Sequence, residues 1–317
     1  MKRTLIVAAV SALAAGSALA QSSVTVYGRA NVTAESIDAG GLKTKQLVNN
    51  ASRLGFRGIE DLGGGLKAGF NLEHGLSIDT GTPTATAFWN RRSEVNLSGG
   101  FGTLRMGRFL SEAYFATADY VSMHNHDTGN SADMLYAYVG RNTNKIAYRL
   151  PELVAGMSLE GSVSAAEGAA GQSRSYDLAW NYAVGALQLG AGYEKNGSAK
   201  QLAVRGFYDL GPLLLGAYVQ KDTDGYGVGF GNRTTLRFSA AYNVGASEFH
   251  FNIGNAGSYN RVSNSKAKQF TLGYNYNLSK RTKVYGYYTK VDNNVVIYGP
   301  TTTKDFTSLA AGIRHNF

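Results

Sequence analysis

Val24-Thr25-Val26-Tyr27-Gly28-Arg29-Ala30-Asn31-Val32-Thr33 decides how the rest of the chain is read. Val24, Val26, Gly28, Ala30 and Val32 fall on one face of an extended segment. Thr25, Tyr27, Arg29, Asn31 and Thr33 fall on the other. A period of two with one apolar and one polar face is the signature of a strand with two different solvents on its two sides.

The pattern returns along the chain. Leu66, Ala68, Phe70 and Leu72 alternate with Lys67, Gly69, Asn71 and Glu73. Leu202, Val204, Gly206 and Tyr208 alternate with Gln201, Ala203, Arg205 and Phe207. Thr234, Leu236, Phe238 and Ala240 alternate with Thr235, Arg237, Ser239 and Ala241. Leu309, Ala311, Ile313 and Phe317 alternate with Ser308, Gly312 and Arg314 at the end. Connections of two kinds separate these segments. Short Gly-rich turns occur at Leu62–Gly65, Gly99–Gly102, Val184–Ala186, Leu210–Pro212 and Asn243–Gly245. Longer polar stretches occupy 37–50, 79–85, 166–174, 222–232 and 292–304. Short turns at one end and long loops at the other mark an antiparallel transmembrane β-barrel. Counting segments predicts about 16 strands, an even number that leaves an aqueous lumen. Mean hydropathy is only −0.19, because every second residue faces away from lipid. Lipid offers no partner to a backbone amide, so such a sheet must close on itself.

The first twenty residues stand outside this pattern. Lys2 and Arg3, an apolar run from Leu5 to Leu13 and the small-residue site Ala18-Leu19-Ala20 read as a cleaved export signal. The mature chain is then a single barrel domain over 21–317. Losing Lys2 and Arg3 takes the net charge from +9 to +7, since the segment has no acid. That charge is dispersed through alternating strands, which argues against nucleic acid as partner. With no cysteine, disulfides and thiolate chemistry are excluded. Tyr274, Tyr276, Tyr285 and Tyr287 are candidates for the aromatic girdles at the membrane interfaces.

Several segments together resemble the general porins of Gram-negative bacteria, in the branch with strongly anion-selective members. They are Ser52-Arg53-Leu54-Gly55-Phe56-Arg57-Gly58 and Glu60-Asp61-Leu62-Gly63-Gly64-Gly65-Leu66-Lys67-Ala68. Arg91-Arg92-Ser93, Leu97-Ser98-Gly99, Phe101-Gly102 and Gly107-Arg108 fit too, as do Leu278-Ser279-Lys280-Arg281-Thr282 and Gly312-Ile313-Arg314-His315-Asn316-Phe317. The resemblance covers the mature chain. It implies a 16-stranded trimeric barrel in the outer membrane, whose third long loop folds inward to narrow the pore. The terminal Phe317 on an amphipathic last strand resembles the signal read by the barrel-assembly machinery. Outer-membrane lipid and lipopolysaccharide are the expected surroundings.

The candidate constriction loop runs from Leu110 to Asp133 and holds Glu112, Asp119, Asp127 and Asp133. Its length exceeds that of an ordinary connection, which favours function. Parity supplies the facing wall. Leu54 and Phe56 outward put Arg53 and Arg57 inward; Val95 and Leu97 outward put Arg92 inward; Leu104 and Met106 outward put Arg105 inward. Arg108 lies at the mouth of the loop. The family pattern allows either Arg91 or Arg92, and Arg141-Asn142-Thr143-Asn144-Lys145-Ile146 resembles a family segment that places a further pore arginine, here Arg141. A ring of guanidinium groups favours anions in a narrow pore. Lys67 and Arg237 read as solvated lumen charges.

Other readings are weaker. His124 and His126, near Asp127 and Asp133, read as loop residues rather than metal ligands, and no cofactor is expected. An outer-membrane enzyme would need a nucleophile beside an oriented base; none of the 5 His has that context. An adhesin or structural barrel would share the fold. A substrate-specific channel would carry aromatics along its lumen, whereas most aromatics here fall at strand ends or on the lipid face.

Overall fold

The computed structural model describes residues 23–119, 121, 129–167, 173–293 and 305–317. The export signal and Asp127, His124 and His126 lie outside them. Eighteen strand segments form one antiparallel sheet that closes on itself. Leu42–Asn49 and Arg53–Gly63 are two halves of one barrel strand, since both pair with the first strand. Thr82–Pro83 is a two-residue pairing inside a loop. Sixteen strands therefore cross the wall among the described residues.

They run in order around the barrel: β1 Ser23–Ala39, β2 the two halves just named, β3 Leu66–Ser77, β4 Arg92–Gly99, β5 Gly102–Arg108, β6 Lys145–Arg149, β7 Met157–Ser164, β8 Ser175–Val184, β9 Leu187–Asn196, β10 Ala199–Asp209, β11 Leu213–Thr223, β12 Asn232–Val244, β13 Ser247–Ala256, β14 Ala267–Asn277, β15 Thr282–Asn293 and β16 Phe306–Asn316. The seam between β1 and β16 removes the last open edge. Arg29 lies opposite Asn316 and Ala39 opposite Phe306. The Gly28 amide donates to the Phe317 carbonyl at 2.9 Å, and the Phe317 amide returns the bond at 3.1 Å. Every strand thus has two neighbours, as a bilayer requires.

Burial is inverted relative to a water-soluble protein. Leu202, Leu236 and Leu309 project outward and are 52–61% exposed, while Gln201, Thr235 and Ser308 on the opposite face are at most 1% exposed. The outer apolar belt is the surface lipid covers; the inner face is polar and hydrogen-bonded. No helix among the described residues is long and apolar enough to cross a membrane.

Two expectations change. The 37–50 stretch is not a loop: β1 continues to Ala39, turns at Gly40–Gly41 and returns as Leu42–Asn49. Ladder pairing outlasts the apolar pattern there, because this hairpin rises beyond the lipid belt. Tyr274 and Tyr276 do face outward, but Tyr285 and Tyr287 are inward and buried. In β15 the outward positions are Val284 and Tyr288. Tyr285 donates to Asn31 at 2.7 Å and Tyr287 to Glu35 at 2.6 Å, across the barrel seam.

Candidate functional site

The segment after β5 does not leave the barrel. Ser111 caps a short helical turn, Glu112–Tyr114, by accepting from the Ala113 amide at 3.2 Å; a π-helical turn, Phe115–Asp119, follows. The backbone here lies against β9, where only glycine leaves room. A Cβ on Gly190 would collide with the Ala116 carbonyl, and one on Gly192 with Ala113. Gly190→Val and Gly192→Val are therefore expected to push the loop into the lumen and lower single-channel conductance several-fold. Wild-type conductance in both would show that the loop does not rest on this wall.

The loop returns in extended form along the same side, hydrogen-bonded rung by rung to the wall. Gln269 of β14 accepts from the Met134 amide at 3.0 Å and donates to the Ala132 carbonyl at 2.7 Å. Gln220 of β11 brackets Ala137 in the same way, at 2.8 and 3.0 Å. Arg233 donates to the Leu135 carbonyl at 3.0 Å. Asp133 is ion-paired with Arg237 at 3.0 Å and accepts from Tyr218 at 2.5 Å. Asn130 donates to Glu35 at 2.7 Å. Arg237 is thus a buried anchor for the loop, not the solvated charge that its position suggested. Parity shows which way a side chain points, not what it meets.

What stays open is a cavity of about 880 Å³ on the other side of the lumen. Its wall carries Arg29, Arg53, Arg91, Arg92, Lys283 and Arg314, and its acids are Glu73, Asp119 and Asp133. Register makes the cations a continuous belt. Lys283 of β15 is the cross-strand partner of Arg314 of β16, and Arg29 of β1 that of Arg53 of β2. Asn31, two residues from Arg29, lies opposite Arg314, which joins the two pairs across the seam. Like charges placed directly opposite each other are unfavourable for a sheet. Two such pairs side by side point to a role other than holding the barrel together. Beyond β2, Glu73 of β3 takes Arg91 at 2.6 Å and Arg53 at 3.9 Å, and Arg92 lies across the ladder from Glu73. Lys283 also reaches Glu248 at 3.2 Å.

The opposite side of the cavity is aromatic. Tyr114 is the hub, with ring centroids 5.7 Å from Phe115, 5.7 Å from Tyr136 and 5.6 Å from Tyr138, all edge-to-face. The hydroxyls are tied down: Tyr136 to Thr117 at 2.8 Å, and Tyr138 to Asn142 while accepting from the Ser111 amide. Burial pushes both phenols well above the usual tyrosine range, and the negative charge of Glu194 adds to it. They remain protonated donors, so the aromatic face stays neutral. The lumen therefore does hold an aromatic surface, on the loop, where strand alternation carries no information.

The sequence-selected residues divide by place. Arg53, Arg91, Arg92, Asp119 and Asp133 line the cavity together. Arg91 does so because it precedes β4 and escapes strand parity. Arg57 is exposed further toward the short turns and lies over the Tyr27 ring at 5.3 Å. Arg105 is sunk among Glu94 (2.9 Å), Glu160 (2.9 Å) and Glu112 (3.4 Å). Glu112 also takes Arg149 at 2.7 Å, which pins the helical turn to the wall. Arg108 donates to the Asn90 carbonyl at 2.7 Å and so supports a cavity residue from behind. Arg141 donates to the Ala165 carbonyl at 3.1 Å, away from the cavity. Arg29, Lys283 and Arg314 were not selected from the sequence. Arg29 and Arg314 lay on recognised polar faces, but only the seam brings them together.

A closed antiparallel barrel with an apolar outside, a polar lumen and an inward-folded loop is a water-filled membrane channel. The sequence matches the family model described as Gram-negative porin over residues 7–295, and the chain belongs to that family. It is 32% identical to outer membrane porin protein 32 of Delftia acidovorans, and 31% identical to a major outer membrane protein P.IB of Neisseria meningitidis serogroup B. Each match covers 100% of both chains. Its structure resembles that of an anion-selective porin from Comamonas acidovorans with a TM-score of 0.76 and 28% identity, covering 94% of this chain and 100% of that one. The protein is an outer-membrane porin of a Gram-negative bacterium.

Proposed function

We propose that the pore admits small hydrophilic solutes by passive diffusion and prefers anions, with no catalytic step. The observation that carries this reading is the cation belt: six basic side chains against three acids around one cavity. Glu73 is matched by Arg91, Asp133 by Arg237 and Lys283 by Glu248; Arg29, Arg53, Arg92 and Arg314 then stand against Asp119 in the lining, which leaves the field of the belt positive. Arginine keeps its charge at any working pH, and a low-dielectric wall concentrates its field in the lumen. The anion selectivity of the Comamonas acidovorans porin agrees with this. Proteoliposomes holding the folded barrel should swell in isotonic pentose and more slowly in a disaccharide. No swelling in either would contradict a diffusion pore.

The working unit in this reading is a homotrimer. β4, β5, β6 and β7 have 8, 7, 5 and 8 residues, fewer than the ~9–11 that a strand needs to cross a bilayer. A wall that low suits a side shielded by partner copies. Outward Lys195 and Lys200, a cross-strand pair at the long-loop end, suit contact with lipopolysaccharide phosphates. Phe317, outward at the end of the last strand, serves as the assembly signal, and cleavage after Ala20 leaves Gln21 as the mature N-terminus. Intact-mass measurement of the exported protein checks the last point directly; a mass that retains 1–20 would refute it.

A further inference from the structure

Behind the cavity, toward the short turns, lies a second hollow of about 380 Å³. Thr103, just after the Gly99–Gly102 turn, and Arg149, at the end of β6, place it on that side. Two residues border both hollows: Arg92 from the wall and Phe115 from the loop. The two hollows thus share a guanidinium and a benzene ring, and the second adds Arg105 and Arg149 together with their partners Glu94 and Glu112. Upstream, the same opposition is extended, with Arg53 and Arg91 across from Tyr114 and Tyr138. The aromatic face is rigid, because its rings pack edge-to-face on Tyr114 and the hydroxyls of Tyr136 and Tyr138 are bonded within the loop.

We propose that the junction of the two hollows is a selectivity site for aromatic carboxylates, the Arg92 side taking the carboxylate and Phe115 with Tyr114 taking the ring. A fork of N–H donors matches a carboxylate in plane. An aromatic ring gains offset or edge-to-face contact with fixed aromatics beyond simple burial. An inorganic anion uses only the first half of the site, and a neutral aromatic only the second. The proposal rests on the anion-pore reading and adds a solute class to it.

The test uses the folded wild-type porin in a planar bilayer carrying chloride current. Sodium benzoate and sodium cyclohexanecarboxylate are added in turn as blockers, since they share charge and carbon skeleton but not the planar π-face. Benzoate is expected to halve the current at a concentration roughly threefold to tenfold lower, the range that aromatic contacts supply. Phe115→Leu keeps apolar bulk and is expected to abolish that difference. Equal block by the two acids in wild type overturns the proposal. So does a benzoate advantage that survives both Phe115→Leu and Tyr114→Leu. If Phe115→Leu does not fold, the wild-type comparison alone decides. A pore that does not prefer chloride over potassium contradicts the underlying reading instead, and the salt-gradient potential reports this separately.

Discussion

Replacing Arg53 and Arg92 together by glutamate is expected to invert the ion preference of the pore. Both side chains line the main cavity, and neither anchors the loop. The exchange leaves four cations against five acids, turning an excess of three positive charges into one negative. A charge ~4 Å from an ion contributes about 1 kcal/mol even at the dielectric constant of water, and more beside a low-dielectric wall. Two sign changes should therefore move the anion-to-cation permeability ratio by at least about tenfold. The corresponding glutamine pair should give an intermediate ratio. The wild-type preference should also shrink in 1 M salt, where the screening length falls to ~3 Å from ~10 Å at 0.1 M. Unchanged selectivity in the double glutamate variant would show that the belt does not govern permeation.

Arg105→Leu is expected to cause the largest loss of stability. The guanidinium contacts Glu94 and Glu160 at 2.9 Å and Glu112 at 3.4 Å, and it lies over the Phe109 ring at 4.2 Å. Removing one partner of a buried ionic cluster costs roughly 3–5 kcal/mol, because the remaining charges stay buried without compensation. Glu160 keeps Arg149 at 2.9 Å, but Glu94 keeps only Arg92 at 3.7 Å among the ion pairs of the described residues. The measurable results are a lower temperature for heat-induced loss of the folded band and noisier single-channel current as the helical turn loosens. Arg105→Lys should fall between, since an ammonium group cannot make the fork. Glu160→Gln should partly rescue Arg105→Leu by removing one stranded charge. A double variant no more stable than Arg105→Leu would contradict this account of the cluster.

These three arginines also mark what a sequence can say about such a protein. Strand parity turns Arg53, Arg92 and Arg105 inward alike, because the period of two depends only on local alternation. It cannot tell a lumen-facing arginine from one sunk in carboxylates; that depends on Glu94 from the neighbouring strand and Glu160 from two strands away. Arg29 and Arg314 sit on plainly polar faces, yet their meeting needs the closing register of the first and last strands. Arg91 would be outward by parity and escapes it by lying before the strand begins. The loop shows a further limit: Tyr114, Phe115, Tyr136 and Tyr138 follow no period, and their convergence is set by wall groups such as Gln220, Gln269 and Arg237. The barrel itself was legible because a bilayer imposes one repeating requirement on every strand. The pore surface was only half legible, because each of its residues answers to a different partner.

The most direct test of the anion-pore account is the reversal potential of wild-type protein in a planar bilayer under a tenfold potassium chloride gradient. A potential of the anionic sign, diminishing as total salt rises, is the predicted result. A potential of the cationic sign, or no conductance from a folded barrel, would contradict it.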